Sequence, residues 1–600
     1  MKTIISFFVS AGILFCSQVS TAQINLGTIK IYNNDKMVSA FNIEDVMSME
    51  ITSVGKVTTF EDAAIPLRRA INYMINYANE PLESWTPHKY QFQRSILIDN
   101  YAGYWTTTKA NFAFSPLMPT LYSENCDYMP LLYDASIPVF SDSRAALVSA
   151  EYVGAPYLRA LALIVQAYGA QELVDFYGVL PLNDLRVWDG KAVHCESGPE
   201  VYKQILTDLD DAIRILKETQ PLEDELEKVE GASANKVLFD RQWQRWVKFA
   251  NSIKLRMALN MVDYLDPDPV YGPDNKPFVS KNIAEEAYND EIGVLKPGDR
   301  DIAYKNTDSD CCLYSIGNSW DDIRLNASME NILKRYNHPL INILFSENNY
   351  AITSPDGETA PKGVYGVRAG IMMENILGRS VGYGPFAILN DSMRNMDQPV
   401  MKVAEVTFLR AEGALRGWDM GDSAKSLYET GIRESFAEWG LSEEDATSYL
   451  QCTEIQSVDY IDYHNRDNDI EGRVAVPVKW SDNDSREVML EKIITQKWIA
   501  NFPMGAEAWT TYRRTGYPRI FPVEVSHLNN DNIDIEKQIR RLKFKTKYNS
   551  DNLTDEFYDN AAKTLGTQDL CGSPVFWDVN SRTWIKGDNG QYVIDNHLGD

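Results

Sequence analysis

Apolar residues recur every three or four positions through long parts of this chain, the spacing of helices with a buried face. From Glu151 to Phe176 they crowd every side (Leu158, Leu161, Leu163, Ile164, Val165), which predicts a helix buried among others, stopping at Tyr177-Gly178 with Pro181 beyond. Ser197 with Glu200 three residues on reads as a capping box, opening a helix with Val201, Ile205, Leu209, Ile213 and Leu216 on one face. Trp246, Ala250, Ile253 and Met257 make a similar face within Trp246–Met261. A helical hairpin is expected later. Met401–Arg416 carries Val403, Val406, Phe408 and Leu409 and stops near Gly417; Asp422 then caps a helix bearing Leu427, Tyr428, Ile432, Phe436 and Trp439, closed by Gly440. Ala424 and Tyr428 have the small–aromatic spacing of tetratricopeptide repeats. The last strong helix is predicted over about Arg486–Asn501.

Two kinds of segment break this pattern. Residues 27–52 alternate as short strands: Ile29 and Ile31, a turn at Asn33-Asn34-Asp35, then Met37-Val38 and Met47–Ile51. Long polar stretches rich in Gly, Pro, Asp and Asn run over Leu265–Gly298, Gly317–Asn326, Asn348–Asn395 and Asp462–Ser485, and loops of that length usually carry function. The expected organisation is a leader over 1–22, a small β-unit over 23–55 and a mainly α-helical domain over 56–600.

The N-terminus predicts export. Lys2, an apolar run from Ile4 to Cys16 and the small polar stretch Ser17–Ala22 form a secretory signal too short to span a bilayer. Two processing points are open: cleavage after Ala22, favoured because small residues stand at Ser20 and Ala22, or lipidation of Cys16, against which Phe15 speaks. The balance of 58 Lys and Arg against 85 Asp and Glu gives a net charge of −27, which excludes a basic nucleic-acid footprint. Six scattered Cys follow the leader without a CxxC pair, so neither zinc nor a dithiol redox site is indicated.

Several segments resemble one family. QELVDFYGVLPLND from Gln171, VYKQILTDLDDAIRIL from Val201, WVKFANSIKLRMAL from Trp246, VMKVAEVTFLRAEGALRGW from Val400, AKSLYETGIRESFAEWG from Ala424 and ITQKWIANFPMGAEAWTTYRRTGYP from Ile494 are similar to SusD/RagB-type outer-membrane nutrient-binding proteins, as is the tail, KFKTKYNSDNLTDEFYDNAAKTLG from Lys543 with PVFWD from Pro574. The QKW and RRTGYP motifs point to a subgroup of that family. The resemblance implies a mainly α fold with tetratricopeptide-like helix pairs and a loop-rich ligand face. It also implies a TonB-dependent barrel (SusC/RagA-like) as partner, to which a captured oligosaccharide or peptide is delivered, and a lipid anchor at Cys16. The β-unit at 27–52 lies outside what it explains.

No catalytic signature stands beside it. Six His show no HExxH and no paired helical spacing, and there is no GxSxG elbow, GxxxxGK[ST] loop or GxGxxG turn. With 85 carboxylates some acidic pair is inevitable, so Glu507 reads as an ion-paired group; Trp498 and Trp509 read as core anchors, with Arg513 and Arg514 bonded to carbonyls or to Glu507. Asp266, Asp268 and Asp274 do not have the spacing of a calcium loop, and no metal or cofactor is expected. A capture protein without catalysis is the reading, with peptide capture or a structural surface role as alternatives. Sugars lay their C–H faces on aromatic rings while amides and charged groups bond the hydroxyls, so aromatics in polar loops are the candidate platform. Those are Tyr101, Tyr104 and Trp105 with Asn111, then Asn318, Trp320 and Arg324, and Tyr383 between two glycines.

Overall fold

Local chemistry fixes most helix ends where the spacing places them. The computed structural model describes residues 59–74, 87–107, 128–187, 193–231, 238–306, 309–371, 375–376, 379–380, 382–523, 533–534, 537–544 and 553–579, together with short strands at 21–25, 28–33, 36–42, 585–586 and 592–593. The main helices are α1 (Phe60–Tyr73), α2 (Met129–Ser149), α3 (Tyr157–Tyr177), α4 (Gly198–Thr219), α5 (Trp243–Asn260), α6 (Ser280–Asn289) and α7 (Ala327–Arg335). After a long irregular stretch come α8 (Val403–Leu415), α9 (Ala424–Glu438), α10 (Glu443–Leu450), α11 (Arg486–Asn501), α12 (Gly505–Thr515) and α13 (Asp555–Leu565).

Each expected helix is present. Gly178, at φ 84°, ends α3 in the left-handed conformation that a stop glycine supplies. α3 begins only at Tyr157, because Gly154 (φ 72°) and Pro156 precede it. At α4 the Glu200 carboxylate accepts from the Ser197 backbone N–H at 2.8 Å and from its hydroxyl at 2.6 Å. The cap of α9 is Ser423, one residue later than expected: its Oγ accepts from Ser426 N–H, while Asp422 accepts from Ser423 N–H and Ser426 Oγ. The stretch Leu265–Gly298, expected as loop, contains α6 and a two-strand hairpin at 270–277.

Successive helices pack on one another, α1 through α6, and α8 joins this stack to α9, α10, α11 and α12. The α8–α9 hairpin is the tetratricopeptide-like pair, and Ala424, at the start of α9, packs against the core. A Cβ at Gly431 would lie 2.8 Å from the Phe408 ring, so that glycine sets how closely α9 lies on α8. One hydrophobic core runs through the stack, and a separate small cluster (Ile352, Ala360, Tyr365, Val367, Ile371, Tyr383, Phe386) lies within the long irregular stretch.

Strands are few and short. β1 (Thr21–Asn25), β2 (Thr28–Asn33) and β3 (Lys36–Asn42) make an antiparallel sheet, Ile29 pairing with Ile24 and Phe41. β4 (Trp105–Thr107), β5 (Ile302–Tyr304), β6 (Ile323–Leu325) and β7 (Gln398–Met401) form two antiparallel pairs, β4 with β6 and β5 with β7. Residues 1–20 with Cys16, Met47–Ile51 and Asn111 lie outside the described residues.

Candidate ligand-binding face

The pairing of β4 with β6 decides the fate of three candidate residues. Trp105 stands opposite Leu325 and Thr106 opposite Arg324, so the DNYAGYW segment runs inside the molecule. Tyr101, Tyr104 and Trp105 are each 0% exposed. Tyr104 donates its hydroxyl to Trp498 O, and Trp498 Nε1 donates to Ala102 O at 2.8 Å. Trp105 lies edge-on to Phe345 with ring centroids 5.8 Å apart, and Tyr101 leans on Trp509 at 5.5 Å. Rings closed in this way have no free face for a ligand. The expectation of a platform at these three is corrected to core packing, the result of a strand pairing that spans more than 200 residues.

Arg324 and Tyr383 are buried as well, at 2% each. Arg324 Nη2 donates to Gly384 O at 2.8 Å and pairs with Asp321, so the guanidinium holds one loop to another. Tyr383 donates to Asp462 Oδ2 at 2.8 Å, accepts from Asn468 Nδ2 at 3.1 Å and meets His464 edge-on at 4.7 Å. Gly382 stands at φ 100°, and a Cβ there would fall 1.9 Å from the His464 ring, so the close approach it permits is to that ring. Both side chains build the loops and do not meet solvent.

Asn318 and Trp320 remain. The turn Ser315–Ser319 is wound as a single π-helical turn, and Trp320 closes it with 40% of its surface exposed. Asn318 Nδ2 donates to Leu389 O at 2.9 Å and lines a cavity of about 430 Å³. Three more asparagines, Asn342, Asn349 and Asn390, line it, with Phe345, Lys362 and Asp391. Asn390 Nδ2 donates to Asn342 O and Ile343 O, leaving its carbonyl oxygen as an acceptor, and Tyr314 donates to Asp391 at 2.6 Å. Lys362 pairs with Glu347 at 2.9 Å. Tyr350, next to Asn349, is 75% exposed. Amides lining a cavity, with exposed rings close in sequence to two of them (Trp320 to Asn318, Tyr350 to Asn349), supply the two kinds of group that recognise hydroxyls and apolar ring faces. Sequence reasoning missed Asn342, Asn349, Tyr350 and Asn390. The run Asn348-Asn349-Tyr350, an aromatic beside amides in a long polar stretch, was the signal available.

A family model described as Susd and RagB outer membrane lipoprotein matches residues 54–578. The chain belongs to the SusD-like family. No curated protein matches it. Among solved structures, this SusD-like protein is similar to a chitin-binding SusD homolog from Flavobacterium johnsoniae, at 30% identity over 86% of this chain and 99% of that one, with a TM-score of 0.71. It is also similar to a SusD homolog from Bacteroides vulgatus (25% identity, 87% and 98% covered, TM-score 0.72) and to a SusD-like protein from Bacteroides thetaiotaomicron (26%, 88% and 100%, 0.69). The family is one of binding proteins, and among the described residues no helix is long and apolar enough to cross a membrane.

The motifs behind the resemblance form a buried polar seam in this SusD-like protein. Arg256 forks onto Glu405 at 2.8 and 3.0 Å, and Arg514 onto Glu412 at 2.7 and 2.6 Å. Lys497 bonds Glu507 at 2.8 Å; burial would raise that carboxyl, but Lys497 and Arg256 hold it below its ordinary value. Glu507 is thus the ion-paired group expected. Arg513 lies 3.7 Å over Trp509 and donates to Asp175 O and Arg540 O, the carbonyl role expected, whereas Arg514 meets Glu412 in place of Glu507. Burial pushes Asp175 up to about 6, offset by hydrogen bonds from Tyr202, Gln171 and Trp577. Trp498 and Trp509 are core anchors, at 1% and 0% exposed.

Two of the acidic-loop candidates also have a structural partner. Lys203 Nζ bonds Asp266 at 3.1 Å and the Asp268 carbonyl at 2.5 Å, placing an ammonium in the acidic loop. Cys195, Cys311, Cys312, Cys452 and Cys571 are free thiols, and burial raises Cys311 to about 11.

Proposed function

We propose that the face around Asn318 and Trp320 captures an oligosaccharide outside the outer membrane and hands it to a TonB-dependent barrel of the SusC/RagA type. The observation carrying this reading is the amide-lined cavity of about 430 Å³, whose lining residues Asn318 and Asn349 stand within two positions of the exposed Trp320 and Tyr350 in the chain. Its size is that of a site for one or a few sugar rings, within the ~300–1,000 Å³ usual for small-ligand pockets. The chitin-binding homolog from Flavobacterium johnsoniae supports a glycan as the ligand class. Capture proceeds without bond cleavage: the buried carboxylates of the polar seam are committed to arginines and lysines away from the cavity, and the two carboxylates that line it, Glu347 and Asp391, are held by Lys362 and by the Tyr314 hydroxyl. Held beside a transporter mouth, ligand is presented at high effective concentration, so modest affinity suffices and release stays fast. The family's description as outer-membrane lipoproteins supports acylation of Cys16 as the anchor over cleavage after Ala22.

The test is calorimetric titration of the protein with neutral oligosaccharides, N-acetylglucosamine oligomers among them, with each mixture assayed for cleavage products. Saturable binding without products is expected. Products that persist through purification overturn capture without catalysis, and saturation by peptides alone overturns the glycan. Mass spectrometry of the native N-terminus decides between Cys16 and Gln23.

A further inference from the structure

The Asn318 cavity carries three charged side chains, and they do not cancel. Lys362 is spent on Glu347 at 2.9 Å, while Asp391 has no cation paired to it among the described residues. Its side-chain partner is neutral: the Tyr314 hydroxyl donates to Asp391 Oδ1 at 2.6 Å. Tyr314 is fixed in turn, since the Arg394 guanidinium lies 5.5 Å over its ring and pairs with Asp310. Asp391 is thus held through one oxygen, and as an exposed residue of the cavity wall it keeps Oδ2 as an acceptor. The neutral groups point the same way. Asn390 Nδ2 donates to both Asn342 O and Ile343 O, at 2.8 and 2.9 Å, so this amide offers the cavity its carbonyl oxygen alone. Asn318 Nδ2 is likewise tied to Leu389 O. The lining side chains left to donate, Asn342, Ser346 and Asn349, are uncharged. Such a wall has acceptors for hydroxyl hydrogens, one of them anionic, and no unpaired cation to receive an anion.

We propose that Asp391 is the specificity-determining residue of this face, selecting neutral, hydroxyl-bearing glycan and turning away glycan that carries carboxylates, with Tyr314 as the residue that positions it. The inference rests on glycan capture at the Asn318 cavity. A sugar hydroxyl donating to a carboxylate makes a short, charge-assisted bond, about twice as strong as one between neutral groups. A uronate in the same place meets a like charge instead. Between exposed groups that repulsion is worth about three- to tenfold in affinity, and it fades as salt rises. Selection of this kind is made by the repelling charge and needs no further contact to the favoured ligand.

The test titrates the intact protein with two matched pairs, at low and at physiological salt. One pair is an N-acetylglucosamine tetramer and a tetrasaccharide in which glucuronate replaces every second ring; the other is the neutral methyl ester of a galacturonate trimer and the free trimer. The neutral member of a pair should bind more tightly, by a gap that narrows with salt. Asp391→Asn removes the charge while keeping the shape. It is expected to weaken the neutral ligand and to strengthen the acidic one, each about three- to tenfold, so that the gap closes. Tyr314→Phe keeps the ring under Arg394 and the charge on Asp391 but removes the anchor. It should weaken the neutral ligand about two- to threefold and leave the acidic one disfavoured; a lower melting temperature with unchanged affinity would make Tyr314 structural only. Equal binding within the pairs, or a gap that Asp391→Asn leaves unaltered, overturns the selection while capture stands. Failure of both neutral ligands to bind overturns capture at this cavity and the selection with it.

Discussion

Trp105 and Trp320 were alike as sequence, tryptophans in polar surroundings, and the structure gives them opposite consequences. Trp105 is fully enclosed against Phe345 and Phe502, so Trp105→Ala opens a cavity in a packed aromatic cluster. Such truncations cost about 3–5 kcal/mol. Over the roughly 520 residues matched by the family model, unfolding carries about 1.1 kcal/mol per kelvin at ~2.1 cal/mol/K per residue. The melting temperature should therefore fall by about 3–5 °C. Trp320 is 40% exposed, and truncation there should shift melting by less than ~0.5 °C, the range of ordinary surface changes. Its effect belongs to binding: losing one stacked ring at about 0.5–1.5 kcal/mol weakens a glycan about 2- to 12-fold. Differential scanning fluorimetry and calorimetric titration on the same two variants read both quantities. Unchanged glycan affinity in Trp320→Ala, or unchanged melting in Trp105→Ala, would refute the assignment.

Two further outcomes follow from the scaffold. Burial alone would raise Glu412, but Arg514 and Arg416 bring it from an ordinary 4.5 down to about 2, a difference of about 3 kcal/mol at ~1.4 kcal/mol per pH unit. Because the folded value is the lower one, that stability is present above pH ~4.5 and is lost as pH falls toward 2. Arg514→Met, which strands the carboxylate, should lower melting at neutral pH, and its gap to the unaltered protein should narrow below pH ~4.5; a gap independent of pH contradicts this account. Gly431→Val should force α9 away from the Phe408 ring, costing about 1–3 kcal/mol in melting experiments, while Gly440→Ala, with nothing within 4 Å, should lose only the smaller cost of its positive φ; equal losses would show that helix approach is not what Gly431 sets.

The scaffold was legible where one short stretch of chain decides the outcome. Ser197 with Glu200, Gly178 after Tyr177 and the bounds of α11 depend on residues within a turn of one another. α1 has a local start in the Thr59–Asp62 capping box, but both α1 and α2 carry an internal proline (Pro66, Pro138) that argues against a helix, and the two helices pack together. The ligand face was harder to read for a different reason. An aromatic cluster such as Tyr101, Tyr104 and Trp105 looks the same in sequence whether it faces in or out, and only pairing with a strand 200 residues away turns it inward. Asn318 and Trp320 could be found because they share a single turn. Asn342, Asn349 and Asn390 could not, because they meet only after the long irregular stretch has folded back.

That stretch has its own small hydrophobic cluster around Tyr365 and Tyr383, separate from the core of the helical stack. A cluster of so few residues closes with a fraction of the free energy that holds the stack, so its backbone amides should open locally and exchange with solvent deuterium while those of α3 and α8 stay protected. Ligand in the Asn318 cavity would add to the bonds from Asn318 and Arg324 that already hold this lobe to the chain around Ser315–Ser319, and slowed exchange over residues 345–390 would then report occupancy directly. The lobe would serve as a reversible clasp carried by a helical frame that has no need to move.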